Sequence, residues 1–331
     1  MRAILRCCAA KSKQTHERPA GETGGALLFG YSGGIIGKNG GEVSAVRYDA
    51  HIHMLLDGEN WRAAIARHRD APDEDYIRAV LARYRAQGVT HLRDGGDRWG
   101  VCTRAAQLAG EYGIVYITPA FPIYKAGQYG SFIGRGYASL AEYGALVERA
   151  AREGADFIKV MISGIMDFDR FGVITGEPYV PEEIRELICI AHAAGLRVMA
   201  HANGARTVQA AAEAGVDSVE HGAYLDDAAL RAMADGGTLW TPTIVTIGNL
   251  IGCGRYPDDV LRPLFRLHAE NIRRAAALGV PIAIGSDAGA YRVPHGSGAA
   301  DERRYLETIL GADSAALDRG ARAMQAWFSK K

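Results

Sequence analysis

From residue 44 onward, short apolar runs rich in β-branched residues alternate with longer Ala-, Arg- and Glu-rich segments of helical periodicity. Glycines stand between several helical segments and the next apolar run, where they are expected to end helices. The apolar runs predict eight strands, at residues 44–50, 88–94, 114–120, 157–163, 197–203, 218–222, 238–244 and 281–287. A helical segment follows each strand, so the pattern predicts an α/β protein made of βα units.

Eight consecutive βα units favour a closed (β/α)8 TIM barrel over an open, doubly wound sheet. No Gly-x-Gly-x-x-Gly fingerprint follows the first strand, which argues against a dinucleotide-binding fold. We predict that the barrel occupies residues 44–331 and that its last helical segment runs from 301 to about 328. Residues 1–43 are polar and glycine-rich, and they are predicted to form an N-terminal extension with a short strand at 26–31.

Charge and cysteine content limit the kinds of molecule that this chain is expected to bind. The chain carries 38 Lys and Arg against 38 Asp and Glu, so it has no basic field for nucleic acid or an anionic membrane. Its five cysteines form no CxxC pair, and no apolar run approaches the roughly 18 residues of a membrane span. We therefore expect a cytoplasmic protein that acts on a small molecule, and a homo-oligomer is left open.

Metal-binding side chains stand at the ends of several predicted strands. His51 and His53 end the first strand two residues apart, so both imidazoles face the same side. His201, His221 and Asp287 end the fifth, sixth and eighth strands. Because the C-terminal strand ends of a barrel meet around one mouth, these side chains should converge. The pattern predicts a site for a divalent metal, zinc in preference to manganese or iron.

Lys159 interrupts the otherwise apolar fourth strand. A buried ammonium is unfavourable unless it is paired or neutralised. One solution is a salt bridge to a nearby carboxylate. The other is reaction of the neutral amine with carbon dioxide, which gives a carbamate whose two oxygens can bridge two metal ions. The order of the candidate ligands along the strands favours the carbamate and two metals.

The sequences DAHIHM, FIKVMISG, MAHANG, SVEHG and IGSDAG resemble, in this order, motifs of the amidohydrolase superfamily. They are most similar to its binuclear branch of prolidase-like and imidazolonepropionase-like metal-dependent hydrolases. Members of this branch usually carry a small β-sandwich beside the barrel, of which we expect at most a remnant within residues 1–43. Relatives also often have histidine at the position of Asn203, which is not needed as a ligand.

The resemblance implies a role for each candidate ligand. His51 and His53 would bind the more buried of two metal ions. His201 and His221 would bind the more exposed one. Carboxylated Lys159 would bridge both.

The same resemblance implies a mechanism in which Asp287 completes the buried metal site and is the catalytic residue. A hydroxide bridging the metals would attack a carbonyl, while Asp287 takes the water proton and returns it to the leaving amine. The substrate is expected to contain an amide bond, as in a dipeptide or an N-acyl amino acid. Tyr224 and His295, which follow the sixth and eighth strands, are candidate substrate-binding residues.

Other functions remain open. A hydrolase of cyclic amides, lactones or phosphoesters would use the same binuclear centre. A deaminase would usually keep one metal and lack the lysine, so Lys159 argues against it. A barrel that binds metal without catalysis is the alternative from a different class of protein.

Overall fold

The computed structural model describes residues 47–311 and 314–329. The strands are β1 (Arg47–Ile52), β2 (Val89–Asp94), β3 (Val115–Ile117), β4 (Pro122–Lys125), β5 (Arg135–Tyr137), β6 (Ile158–Met161), β7 (Val198–Ala202), β8 (Ser218–His221) and β9 (Leu239–Thr241). The α-helices are α1 (Trp61–Arg67), α2 (Glu74–Ala86), α3 (Val101–Ala109), α4 (Leu140–Arg152), α5 (Pro181–Ala193), α6 (Ala205–Glu213), α7 (Asp227–Gly236), α8 (Val245–Gly248), α9 (Asp258–Leu278), α10 (Ser297–Leu310) and α11 (Ala315–Phe328). The extension predicted over residues 1–43, with its strand at 26–31, lies outside the described residues and stays a prediction.

The described strands form two sheets, with the orders β1-β2-β3 and β5-β4-β6-β7-β8-β9. Every pairing within them is parallel. Parallel neighbours need a crossover connection, which helices supply here between most consecutive strands. The predicted α/β class is therefore confirmed.

The eighth predicted strand, 281–287, contains no regular strand but carries backbone hydrogen bonds on both sides. On one side, the N–H of Trp240 in β9 donates to Pro281 O, at 2.9 Å. On the other side, the N–H of Ala50 in β1 donates to Ile284 O, also at 2.9 Å. This segment consequently connects an edge of the second sheet to an edge of the first.

The third predicted strand, 114–120, is interrupted. β3 ends at Ile117; Pro119 has no N–H to donate, and Ala120 adopts a left-handed φ of 62°. Just before this break, Thr118 O accepts a hydrogen bond from the N–H of Asp156, at 2.9 Å. The chain then becomes extended again in β4 and β5, which the hydrophobic pattern does not predict.

Capping and turn residues define the helix ends. Four helices begin after a side chain that accepts hydrogen bonds from N–H groups of the first turn, namely Asn60, Asp73, Ser139 and Asp226. The single helical segment predicted over 301–328 is two helices, because Gly311, with φ of 87°, follows the end of α10. No helix in the described ranges combines the length and apolar character needed to cross a membrane.

Candidate metal centre

Three predicted ligands meet where β1 and the 281–287 segment end. His51 Nε2 lies 3.5 Å from Asp287 Oδ1, and His53 Nε2 lies 3.3 Å from the same oxygen. Each of these side chains offers a ligand atom within 4.8 Å of the others. Because zinc bonds to nitrogen and oxygen are about 2.0–2.2 Å long, atoms at this spacing can bind one ion. Two imidazoles and a carboxylate therefore fit a divalent metal.

Lys159, in the middle of β6, is 1 % exposed, and its Nζ lies 3.4 Å from His51 Nε2. Burial lowers the pKa of this ammonium to about 8. None of the ion pairs within the described residues involves Lys159, so the salt-bridge alternative is not found. A buried amine that reaches a histidine nitrogen, without a carboxylate partner, fits a position that is chemically modified or that faces metal.

His201 and His221 complete the group. His201 lies near the end of β7 and His221 ends β8, and their ring centroids are 4.5 Å apart. The His221 ring is also 5.2 Å from that of His51. The structure thus brings all six sequence-predicted ligands together, and we call them the strand-end cluster: His51, His53, Lys159, His201, His221 and Asp287.

Backbone strain marks two of these residues. His221 and Asp287 adopt left-handed φ values of 67° and 58°, which are uncommon outside glycine. Such conformations persist where the surrounding structure over-determines them, and they gather at functional sites. The strain therefore supports a functional rather than a packing role for both side chains.

Burial favours the neutral form of three of these histidines. Burial lowers the pKa of His51 and His221 well below the usual range and lowers that of His201 to about 3. The charge of Lys159 lowers the pKa of His51 and His201 further, and His201 has the same effect on His221. A neutral imidazole has the free lone pair that a metal ligand needs.

One ring nitrogen of each of these three histidines faces a partner outside the cluster. The pairs are His51 Nδ1 with Glu220 Oε2 (2.9 Å), His201 Nε2 with Gly164 O (3.0 Å) and His221 Nδ1 with Thr243 Oγ1 (2.8 Å). The sequence pattern does not predict these partners. For Glu220 a signal existed, because it is an acidic residue within an apolar strand, as Lys159 is a basic one.

Tyr224 and His295, predicted to bind substrate, are not among the residues that line the cavity next to the cluster. The Tyr224 hydroxyl accepts a hydrogen bond from the Gly172 N–H, at 2.9 Å. His295 is buried, with Nε2 2.8 Å from Leu56 O and Nδ1 3.1 Å from the Tyr84 hydroxyl. Both ring nitrogens of His295 are therefore used within the fold, and the substrate-binding roles of Tyr224 and His295 stay predictions.

A cavity of about 400 Å³ opens onto the strand-end cluster. His53, Lys159, His201, His221 and Asp287 contribute to its lining. Most other lining groups are apolar or aromatic, and we call six of them the aromatic wall: Trp61, Tyr129, Phe132, Phe168, Tyr256 and Tyr291. The volume and the mixture of apolar walls with few polar groups are typical of small-molecule sites.

Comparison with known proteins places the chain in a family. The Amidohydrolase family matches residues 47–325, and the chain belongs to that family. An uncharacterized protein of Mycobacterium tuberculosis is 32% identical over 171 residues, which cover 50% of this chain and 45% of that protein. Ochratoxinase of Aspergillus niger is 30% identical over 198 residues, which cover 55% of this chain and 38% of that enzyme. The matched region is less than half the length of either relative.

Solved structures agree on the fold. A Xaa-Pro dipeptidase with bound methionine has a TM-score of 0.69 at 21% identity, covering 86% of this chain and 75% of that one. The A. niger ochratoxinase structure has a TM-score of 0.67 at 21% identity, covering 85% of this chain and 69% of that one. The superfamily resemblance predicted from the sequence motifs is therefore confirmed.

Proposed function

We propose that this chain is a metal-dependent amidohydrolase that cleaves a C–N amide bond of a small molecule. The observation that carries the proposal is the strand-end cluster, five of whose six members line one cavity, with buried Lys159 in no ion pair among the described residues. Family membership supports the same reaction class. The fold similarity to a Xaa-Pro dipeptidase and to ochratoxinase is consistent with it.

We also propose that the two sheets close into the (β/α)8 barrel. Support comes from the 281–287 segment, which bonds to β9 on one side and to β1 on the other. Further support comes from Arg93 of β2, whose guanidinium reaches Glu220 of β8 and Thr241 of β9. β2 belongs to the first sheet and β8 and β9 to the second, so in a closed barrel a side chain that joins them would cross the interior.

We assign the four histidines of the cluster to two metal ions, two histidines to each, with one further residue bridging the ions. His51 and His53 would hold one divalent ion and His201 and His221 a second, with zinc as the proposed metal. Lys159, carboxylated by carbon dioxide, would bridge the two ions. Such ions, when bound, lower the pKa of water and polarise a carbonyl oxygen.

We assign both proton transfers to Asp287. Its Oδ1 faces both His51 and His53, and its side chain is partly open to the cavity. Asp287 would accept the proton of the attacking water and deliver it to the leaving amine nitrogen. General acid–base catalysis by one group in both directions is standard for hydrolysis at neutral pH.

The cavity favours an amide with a bulky apolar acyl group and a carboxylate, such as an N-acyl amino acid or an apolar dipeptide. The aromatic wall would hold the apolar part. Arg255 would hold the carboxylate: it is exposed, and its guanidinium lies 4.3 Å and 5.3 Å from the ring centroids of Tyr291 and Tyr256.

Metal analysis combined with a substrate screen tests this proposal. We expect two zinc ions per chain, and reloading of metal-free protein should require bicarbonate because the bridge needs carbon dioxide. Lys159→Met should lose the bicarbonate dependence and at least one of the two ions. In the screen, N-acyl amino acids with aromatic acyl groups should be hydrolysed faster than lactones or phosphoesters. A chain that binds no metal after purification from zinc-supplemented medium would overturn the metal-dependent function, and a chain that binds zinc but hydrolyses none of the substrates would favour the non-catalytic metal-binding barrel.

A further inference from the structure

Glu220 and Arg93 form an ion pair in which neither side chain is exposed. Arg93 Nη2 donates to Glu220 Oε1 at 2.8 Å, and its Nε donates to Ala50 O at 2.6 Å. The guanidinium also lies 4.6 Å from the ring centroid of Trp327. The pair is thus fixed from several strands and is closed off from solvent.

Stability alone does not account for such a pair. Desolvating two charges is so unfavourable that apolar replacements of a whole buried pair are often neutral or stabilising. The second carboxylate oxygen offers another reason. Glu220 Oε2 lies 2.9 Å from His51 Nδ1, and within the described residues neither atom hydrogen-bonds to any other group.

We propose that Glu220 is a positioning residue for the metal ligand His51. Its carboxylate keeps the imidazole proton on Nδ1, so that the Nε2 lone pair points toward Lys159 and Asp287. Arg93 donates to the other carboxylate oxygen and so fixes the direction of the carboxylate. This inference rests on the proposed metal-dependent function, which it deepens.

His51, His201 and His221 differ in the partner that orients them. His51 faces a carboxylate, whereas His201 faces a backbone carbonyl and His221 faces the Thr243 hydroxyl. A carboxylate partner raises the basicity of an imidazole ligand more than a neutral oxygen does. The metal on the His51 side should therefore be bound more tightly than the metal on the His201 side.

The test compares zinc binding of Glu220→Gln with that of a matched control, Glu302→Gln. Glu302 is also fully buried, but it accepts hydrogen bonds from the N–H groups of Ile244 and Val245, and no hydrogen bond or ion pair joins it to a histidine among the described residues. Competition with a chelator should show the tighter zinc bound about 10- to 100-fold more weakly in Glu220→Gln. The control should bind zinc as wild type does, even if its melting temperature falls.

A second variant is needed in case Glu220→Gln does not fold because Arg93 has lost its charged partner. The double change Arg93→Met with Glu220→Leu removes both charges together. The metal-free double variant should melt near the wild-type temperature, while the rise in melting temperature on adding zinc should shrink, because that rise reports zinc affinity.

The outcomes separate this inference from the proposed function. Wild-type protein that binds no zinc would overturn the metal-dependent function and the positioning role together. Wild type that binds zinc, with both Glu220 variants within about twofold of its affinity, would overturn the positioning role alone.

Discussion

The strand-end cluster and the aromatic wall line the same cavity but are held in different ways. In the cluster, most imidazoles are fixed by a partner on a neighbouring strand or loop, as His221 is by Thr243. In the wall, contacts are between rings: Trp61 packs on Phe132 with centroids 5.7 Å apart, and Phe132 packs on Tyr129 at 5.6 Å. The first region is rigid and polar, and the second is apolar and bounded by loops.

Under the proposed function, the difference indicates how reaction and selectivity would be divided. Strand ends would place the reacting groups with the accuracy that metal chemistry needs, whereas the aromatic wall would offer a surface that many apolar groups can fit. Changes in the cluster should therefore affect turnover or metal content. Changes in the wall should affect the choice of substrate.

Asp287→Asn should have the largest effect. The amide keeps an oxygen for the metal but cannot take a proton from water, so kcat should fall by about 10²- to 10⁴-fold. Metal content should stay at the wild-type level. Steady-state kinetics together with elemental analysis measure both quantities, and near-wild-type turnover would show that another group moves the proton.

Gly95→Ala should have the next largest effect, because it displaces the His53 ring. A Cβ at position 95 would clash with His53 Cε1, so the ring must shift from its place beside Asp287. His53 Nδ1 is buried without a hydrogen bond among the described residues, so packing holds that side of the ring. We expect a loss of about 10- to 100-fold in zinc affinity, by analogy with other changes around metal ligands.

Gly110→Ala is the matched control for that change. A Cβ at Gly110 meets no atom within 4 Å, and its φ of −59° suits any residue. Chelator competition should show wild-type zinc affinity for Gly110→Ala. Equal affinity in both variants would mean that the His53 ring adjusts without cost to binding.

The strand-end cluster could be predicted from the sequence, whereas the aromatic wall could not. His51, His53 and Lys159 were predictable from the sequence. Strand alternation shows which face each side chain occupies, and a polar side chain buried in an apolar strand is unfavourable unless it binds a partner. Asp287 was placed correctly near the cluster although its segment lacks regular strand pairing. The alternation of strands and helices was visible in the sequence because the hydrophobic period reflects which face is buried.

Loop geometry was not predictable in this way. Tyr224 and His295 follow the correct strand ends, but side-chain direction there depends on tertiary hydrogen bonds that no periodic pattern encodes. The aromatic wall was missed for the same reason, since Trp61 and Tyr256 come together only in the folded chain. β4 and β5 were missed because their runs are short and contain glycine and proline.

Trp61→Ala should have an intermediate effect that is confined to substrate choice. Trp61 is 42% exposed at the outer part of the cavity and supports Phe132. Aromatic contacts are worth about 0.5–1.5 kcal/mol, so KM for substrates with aromatic acyl groups should rise about 2- to 10-fold. KM for acetyl analogues should not change.

Phe171→Ala provides the control for Trp61. Phe171 is similarly exposed, at 48%, but it packs on Tyr224 and does not line the cavity. Both KM values should stay at the wild-type level in this variant. An equal rise in both variants would indicate a general loosening of the loops rather than contact with substrate.

His295→Ala should have the smallest effect on catalysis and a clear effect on stability. The change removes one partner of the buried Tyr84 hydroxyl, which also bonds to the Gly296 backbone, and one of two partners of Leu56 O, which also accepts from the Tyr76 hydroxyl. Losing a buried side chain together with two hydrogen bonds should lower the free energy of unfolding by about 1–3 kcal/mol. Urea unfolding should show this loss while kcat and KM stay within about twofold of wild type. A raised KM without loss of stability would show instead that His295 contacts the substrate. Residues outside the aromatic wall would then also contribute to substrate choice.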